Sequence, residues 1–450
     1  MLFLTFLLLC FGCQYAFAQT DTLSQNPDIQ TLKSELAALR ADIQTLKSQT
    51  IPKQDSNSAT KPKYHISGVG AMNYYNFDWQ TDTVKRNGID NERFVLELEY
   101  QWTPKIGLEA ELEFEHGGTG TAVEFDRFEE FGEFEFDISK GGEILIEQMH
   151  LNFNLHKRIE LQLGRVKVPF GRMFARSEPT QYLTAISSEM ENYILPENWT
   201  ENGLSFKLSL GKNNQWKIYG AVVNGLDCSA FNSANWIKRG NQARFELANA
   251  ENFAFAARID YQPHPEISFG LSYYGGNTAD NRPKPDLRVN AILSLAEAHI
   301  LYKNDWLNAS GMFMYGTLSN SEQVSDRNRN LSNNLNVKRT PVGAAALGAF
   351  AELGFILMNA QGTVFTHPQH QLIVYGRYDY YDTQFKTQGQ IFNNPRWERQ
   401  TWSAGLVFKV LKNVQLKAQY SLRKVGAPAP TSVNGGVLEQ TIVAGFCFGF

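Results

Sequence analysis

From Tyr64 to Phe450 the chain repeats one pattern, about ten residues that alternate between apolar and polar and then a turn. Alternation with a period of two marks strands with two different faces. In 91–102, Phe94, Leu96, Leu98, Tyr100 and Trp102 share one parity, and Glu97, Glu99 and Gln101 share the other. In 105–115, Leu108, Ala110, Leu112 and Phe114 alternate with Glu109, Glu111, Glu113 and Glu115. Near the C-terminus Val414, Leu416, Ala418, Tyr420 and Leu422 oppose Gln415, Lys417, Gln419, Ser421 and Arg423. The pattern predicts sixteen strands, near 64–77, 91–102, 105–115, 143–154, 158–166, 202–210, 214–224, 252–262, 265–275, 291–303, 306–316, 344–358, 371–382, 400–411, 413–423 and 439–450. Glu147 breaks the alternation by falling on an apolar parity. A bulge and a position near a rim both account for it.

The connections alternate as well. Short ones at 103–104, 155–157, 211–213, 263–264, 304–305 and 412 take turns with long ones of about 13 to 35 residues, and 359–370 is the misfit. An even strand number, segregated loop lengths and both ends on the short-turn side predict an all-β protein, a closed antiparallel transmembrane barrel of the outer-membrane kind. A Lys or Arg facing lipid at mid-membrane costs about 2–4 kcal/mol, so the apolar face belongs outside and the charged face inside. An open sheet edge would leave backbone groups unpaired in lipid, so the sheet must close. Eight strands are enough to pack side chains shut, so a charged interior in a barrel twice that size is a water-filled channel.

The first 63 residues differ in kind. Residues 2–9 (LFLTFLLL) followed by Ala16-Phe17-Ala18 predict a signal peptide over 1–18. Gly12 before Cys13 leaves a lipoprotein start open. Ile29, Leu32, Leu36, Leu39, Ile43 and Leu46 are spaced 3, 4, 3, 4, 3, a heptad seam within a predicted coiled-coil segment 19–48. An amphipathic helix lying on the barrel or membrane is the other reading. Residues 49–63, polar and Pro-bearing, read as a linker, and 64–450 as the barrel domain.

Composition removes several alternatives. At 43% hydrophobic and 20% charged, the chain is not disordered. Past the N-terminus it has no apolar run of about 18 residues, which excludes membrane helices. The net charge of −4 carries no nucleic-acid signature. Once the signal is removed, only Cys228 and Cys447 remain, too far apart in the pattern to form a disulfide frame or metal site. His367 and His370 flank Pro368 without a third ligand, so no metal is expected. With no G-x-S-x-G, H-E-x-x-H or phosphate-binding glycine loop, no cofactor and no catalytic residue are expected. Two other readings stay open: an outer-membrane lipid hydrolase with a Ser-His pair, and an envelope tether or adhesin built on the coiled coil.

The exported N-terminus, the short coiled coil, the segment Gly164-Arg165-Val166-Lys167-Val168-Pro169-Phe170-Gly171 and the terminal Phe450 together resemble the phosphate-selective porin O/P family. The resemblance implies a passive diffusion porin for small hydrophilic solutes and ions, with a preference for anions or phosphate. It also implies an outer-membrane location in a Gram-negative cell with a periplasmic N-terminal segment, and Phe450 as an assembly signal. It implies a homotrimer, whereas Ile at two heptad a positions with Leu at d leans to a dimer. The resemblance further implies that the third long loop, 167–201, folds into the lumen, where Lys167, Arg172 and Arg176 would line a constriction. Beyond Gly171 the family's acidic-basic pair is absent, which weakens the phosphate reading.

Sorting charges by parity predicts an acidic wall of Glu97, Glu99, Glu109, Glu111, Glu113 and Glu115. A basic wall of Lys207, Lys217, Arg258, Arg377, Lys409, Lys417 and Arg423 would face it and set a transverse field. Pairing of these charges between neighbouring strands is the other reading. The acidic loop 116–142 is expected at the mouth.

Overall fold

The computed structural model describes residues 63–118, 124–130, 133–137, 143–242, 247–329, 331, 340–359, 370–428 and 435–450. The expected signal peptide, coiled coil and all but the last residue of the linker lie outside the described residues. The strands are β1 (Tyr64–Trp79), β2 (Gly88–Thr103), β3 (Ile106–Glu115), β4 (Glu124–Glu130), β5 (Glu133–Asp137), β6 (Glu143–His156), β7 (Ile159–Lys167), β8 (Thr200–Leu210) and β9 (Trp216–Asn224). There follow β10 (Phe253–His264), β11 (Ile267–Asn277), β12 (Ile292–Lys303), β13 (Leu307–Leu318), β14 (Ala345–Asn359), β15 (Gln371–Lys386), β16 (Glu398–Leu411), β17 (Val414–Val425) and β18 (Leu438–Gly449). Two helices, α1 (Glu189–Ile194) and α2 (Ser321–Arg329), lie in long connections.

Sixteen of these strands close one antiparallel barrel, in the order β1-β18-β17-β16-β15-β14-β13-β12-β11-β10-β9-β8-β7-β6-β3-β2. They are the sixteen that the alternation predicts. β4 and β5 form a separate two-stranded sheet inside the expected acidic loop, an element that the sequence reading missed. The barrel closes where β1 meets β18, in register from Val69 with Gly449 to Trp79 with Glu439. Phe450 extends that seam, its N–H donating to Gly68 O at 2.9 Å and its carbonyl accepting from Gly68 N at 3.1 Å.

The two faces separate as the pattern requires. Phe94, Leu98, Trp102, Leu112, Leu416, Tyr420, Ile442 and Phe446 are exposed on the outer surface. Their neighbours of opposite parity, Glu111, Glu113, Lys417, Gln419 and Arg423, are buried inside. Glu147 is a bulge residue: Glu111 pairs with Gln148 and the next residue, Leu112, pairs with Ile146. The extra residue swings the Glu147 carboxyl inward, where it is buried. Cys228 and Cys447 are both free and buried. No helix among the described residues is long and apolar enough to cross a membrane.

A barrel this wide holds a core only if something fills it. Here the filling comes from connections on the long-loop side. Val168, Phe170, Ile194, Leu195 and Trp199 from the β7–β8 connection pack with Leu226, Phe231 and Trp236 from the β9–β10 connection. Both sets pack against wall residues such as Tyr274, Leu295, Met314 and Phe350.

Candidate functional site: the loop-filled lumen

The β7–β8 connection enters the barrel through a closed neck, with Val168 N–H donating to Trp199 O at 2.9 Å. Gly171 turns the chain at a φ of +72°, a left-handed conformation that suits glycine. A Cβ there would also lie 3.3 Å from Glu191 Oε1. Glu191 in α1 accepts from the Arg172 and Met173 N–H groups at 2.9 and 3.1 Å, which fixes the turn. Ser188 caps α1 and donates to Asp379 Oδ1 on β15 at 3.0 Å.

The wall grips the loop through charged side chains. Lys417 Nζ donates to the carbonyls of Pro179, Tyr182 and Thr184 at 2.6, 2.7 and 2.9 Å. Arg377 Nη1 donates to Thr184 Oγ1 at 2.8 Å, and its Nε lies 3.0 Å from Asp379. Arg258 donates to Gly171 O and pairs with Asp260 at 2.9 Å. Arg423 lies 3.8 Å from Glu189 and bonds the Tyr193 hydroxyl at 2.7 Å. These four basic residues thus hold the loop in place.

Three expectations about the walls need correction. Arg172 does not line a constriction. It is 1% exposed and sealed between Glu191 at 3.8 Å and Glu352 at 3.7 Å, because the turn at Gly171 points it into the seam between loop and wall. Arg258, Arg377, Lys417 and Arg423 do not form an open basic wall, since the loop covers them. Nor do the two walls face each other. In the closed order β2 and β3 stand eight places from β12 and β13, whereas the basic residues lie on β8–β10 and β15–β17, flanking the acidic strands. Lys207 pairs with Glu160 at 3.3 Å across neighbouring strands, the second reading of such charges. Lys217 is exposed on the inward parity, opposite in register to Ser209 and Asp260.

The acidic residues divide in the same way. Glu113 pairs with Arg93 at 2.6 Å, Glu111 with Lys167 at 3.5 Å, and Glu109 with His150 at 3.5 Å. Glu97 accepts from Ser67 Oγ at 2.6 Å. Glu99 stays exposed and Glu115 half-buried at the far end of β3. Lys167 therefore sits against the acidic strands. Arg93 and His299 were missed in the sequence, although both fall on the inward parity of their strands. His299 lies 3.1 Å from Glu297 and 3.5 Å from Asp260, beneath the loop.

No family model matches the chain. A curated protein of Aquifex aeolicus (strain VF5), described only as uncharacterised, is 24% identical over 361 residues, which span 79% of this chain and 74% of that one. Among solved structures, the anion-selective porin from Comamonas acidovorans aligns with a TM-score of 0.52 at 12% identity, covering 86% of this chain and 99% of that one. The high-pH structure of Pseudomonas putida OprB aligns with a TM-score of 0.50, also at 12% identity, covering 86% and 94%. The fold is that of these porins.

Within this porin fold, a cavity open to water lies on the short-turn side. Its volume is about 470 Å³, and it is lined in part by Arg176, Lys303, Lys409 and Lys412 with Glu266 and Glu352. Of the three loop cations that the sequence singled out, Arg176 is the one at this cavity. Burial and the neighbouring Arg172 lower its guanidinium pKa from the ordinary value. The cavity wall is thus richer in cations than in carboxylates, and the loop forms its ceiling.

Proposed function

We propose that this protein is a passive diffusion porin of the outer membrane, admitting small hydrophilic solutes and ions, and that it is not an enzyme. One observation carries the reading: a closed barrel with an apolar outer face and a charged inner face, narrowed from within by the 168–199 loop. The long-loop side would then face outward and the short turns and chain ends the periplasm. We propose a homotrimer, with barrel surface rather than the heptad segment supplying the contact, and an N-terminal segment in the periplasm.

The preference we propose is for small anions rather than for phosphate in particular. Arg176, Lys303, Lys409 and Lys412 border the same water-filled space, and clustered cations raise the local anion concentration. Arg172, the residue that would complete a loop cluster, is spent on Glu191 and Glu352. The test is the reversal potential of the protein in a planar bilayer under a KCl gradient, with and without phosphate. Anion preference without phosphate block is expected. Cation preference would overturn the anion reading, and no conductance from folded protein would overturn the channel.

A further inference from the structure

Glu97 on β2 and Glu111 on β3 are direct cross-strand partners. Like charges at such positions repel, so the pair is unfavourable unless something neutralises it. The loop brings a third carboxylate, Glu178, to the same spot. One oxygen from each of the three residues lies within 4.8 Å of the others.

Each carboxylate is held by a neighbour through one oxygen. Ser67 Oγ donates to Glu97 Oε2 at 2.6 Å, Gln148 Nε2 donates to Glu111 Oε2, and Ser177 Oγ donates to Glu178 Oε1 at 3.2 Å. Glu111 Oε1 and Glu178 Oε2 are buried and find no hydrogen-bond partner among the described residues. Their residues are only 1% and 8% exposed. A buried carboxylate oxygen without a partner carries its full desolvation penalty, so these two call for a ligand. Nearby, Arg93 is engaged by Glu113 at 2.6 Å, and the Lys167 ammonium lies 3.5 Å from Glu111 Oε2 and 3.5 Å from Ser177 Oγ. Three carboxylates against one ammonium leave the cluster a formal −2.

We propose that Glu97, Glu111 and Glu178 bind one divalent cation, calcium, which ties the inserted loop to the barrel wall. Calcium takes six to eight oxygen ligands at about 2.3–2.6 Å, so two ligand oxygens on its shell stand up to about 5 Å apart, as these do. Magnesium requires a tighter octahedron at about 2.0–2.1 Å. Water supplies the remaining ligands. The loop enters the site right beside Ser177, whose carbonyl accepts from Arg93 Nη1 at 3.3 Å, so the cation lies where the loop already touches β2. This inference rests on the seat of the loop and is independent of conduction.

The experiment is a calcium titration by calorimetry of the full chain, refolded into detergent micelles free of lipopolysaccharide and stripped with a chelator. Folding is checked by heat-modifiable gel mobility. Wild type should bind one calcium per chain and gain thermal stability from it. Glu178→Gln and Glu97→Gln should each weaken binding by about tenfold or more, as loss of a charged ligand does. Glu251→Gln, on an exposed loop, should bind as wild type does. No saturable calcium binding by wild type up to millimolar concentration overturns the proposal. So does binding that survives Glu178→Gln unchanged, which would place the cation on other acidic loops. Glu178 belongs to the inserted loop and to no barrel strand, so this variant decides the matter even where Glu97→Gln does not fold.

Discussion

Arg172 of the inserted loop and Glu352 of the barrel wall meet at 3.7 Å, with side chains 1% and 4% exposed. Glu352 is also 3.4 Å from Arg377 and accepts from Ser310 at 3.2 Å. One carboxylate thus serves two buried guanidiniums, one from the loop and one from the wall. Breaking a buried pair by removing one partner costs about 3–5 kcal/mol. Glu352→Ala should lower the stability of the folded barrel by about that much and loosen the loop. Denaturant unfolding followed by tryptophan fluorescence measures the first, and single-channel conductance the second. Arg172→Met, which removes a charge and keeps the volume, should cost less. A Glu352→Ala protein with wild-type stability and conductance would show that the loop is held elsewhere.

Lys417 makes the complementary argument from the backbone. Its ammonium satisfies three loop carbonyls, those of Pro179, Tyr182 and Thr184. Lys417→Met should destabilise the loop by at least about 2 kcal/mol, since buried carbonyls are left unpaired. Lys417→Arg should not rescue it, because a planar fork cannot send three donors out from one nitrogen. Limited proteolysis within 168–199 reads the release.

How much of this was legible beforehand follows from where each contact lies in the chain. Strands announce themselves locally. The alternation of Phe94, Leu96 and Leu98 with Val95, Glu97 and Glu99 marks an outer and an inner face whatever the partner strand does. The bulge at Glu147 breaks the parity but leaves open which way the chain compensates; only the register with Leu112 decides that. Lys417 read as a lumen charge because its true partners are carbonyls more than 230 residues away, and carbonyls have no sequence signature. The alternating Phe and Glu of 133–137 resembled a solvated acidic loop, yet the period of two that marks β5 was present.

The seam between the barrel ends is set by the approach of Gly68 to Phe450. A Cβ on Gly68 would come within 2.8 Å of the Phe450 ring and 2.5 Å of Val95 O, so only glycine fits. Gly68→Leu should reduce the fraction of chains that close into heat-modifiable barrels, measured by the gel shift after refolding. Phe450→Ala removes the ring but keeps both backbone hydrogen bonds and should have a smaller effect. Equal yields for Gly68→Leu and wild type would show that the close approach does not limit closure.

At the rim, His116 Nδ1 lies 2.8 Å from Asp90 Oδ2. The hydrogen bond to Asp90 raises the histidine to about 9, against a smaller opposing effect of burial. A histidine raised in the folded state gives stability that is complete below its unfolded value of about 6.5 and is lost as pH climbs through about 9. Both partners are partly exposed, so solvent screening limits the effect to no more than about 1 kcal/mol. The unfolding midpoint of wild type minus that of His116→Gln should therefore be largest near pH 6 and vanish near pH 10. A difference that does not change with pH would show that the pair contributes no charge-dependent stability.

The cations around the short-turn cavity make the selectivity reading quantitative. Lys409 and Lys303 act on each other as like charges, and both border water beside Arg176. Reversing one of them moves the local charge by two units without touching the grip on the loop. Lys409→Glu and Lys303→Glu should each lower the anion-to-cation permeability ratio several-fold, and together they should reverse the sign of the zero-current potential in a KCl gradient. The effect should shrink at high salt, where the Debye length falls to about 3 Å at 1 M. Arg172→Gln, buried in the seam, should shift the ratio far less than either lysine. If the double lysine variant keeps the wild-type ratio, the cavity on the short-turn side is not where ions are chosen, and the selectivity filter lies above the loop instead.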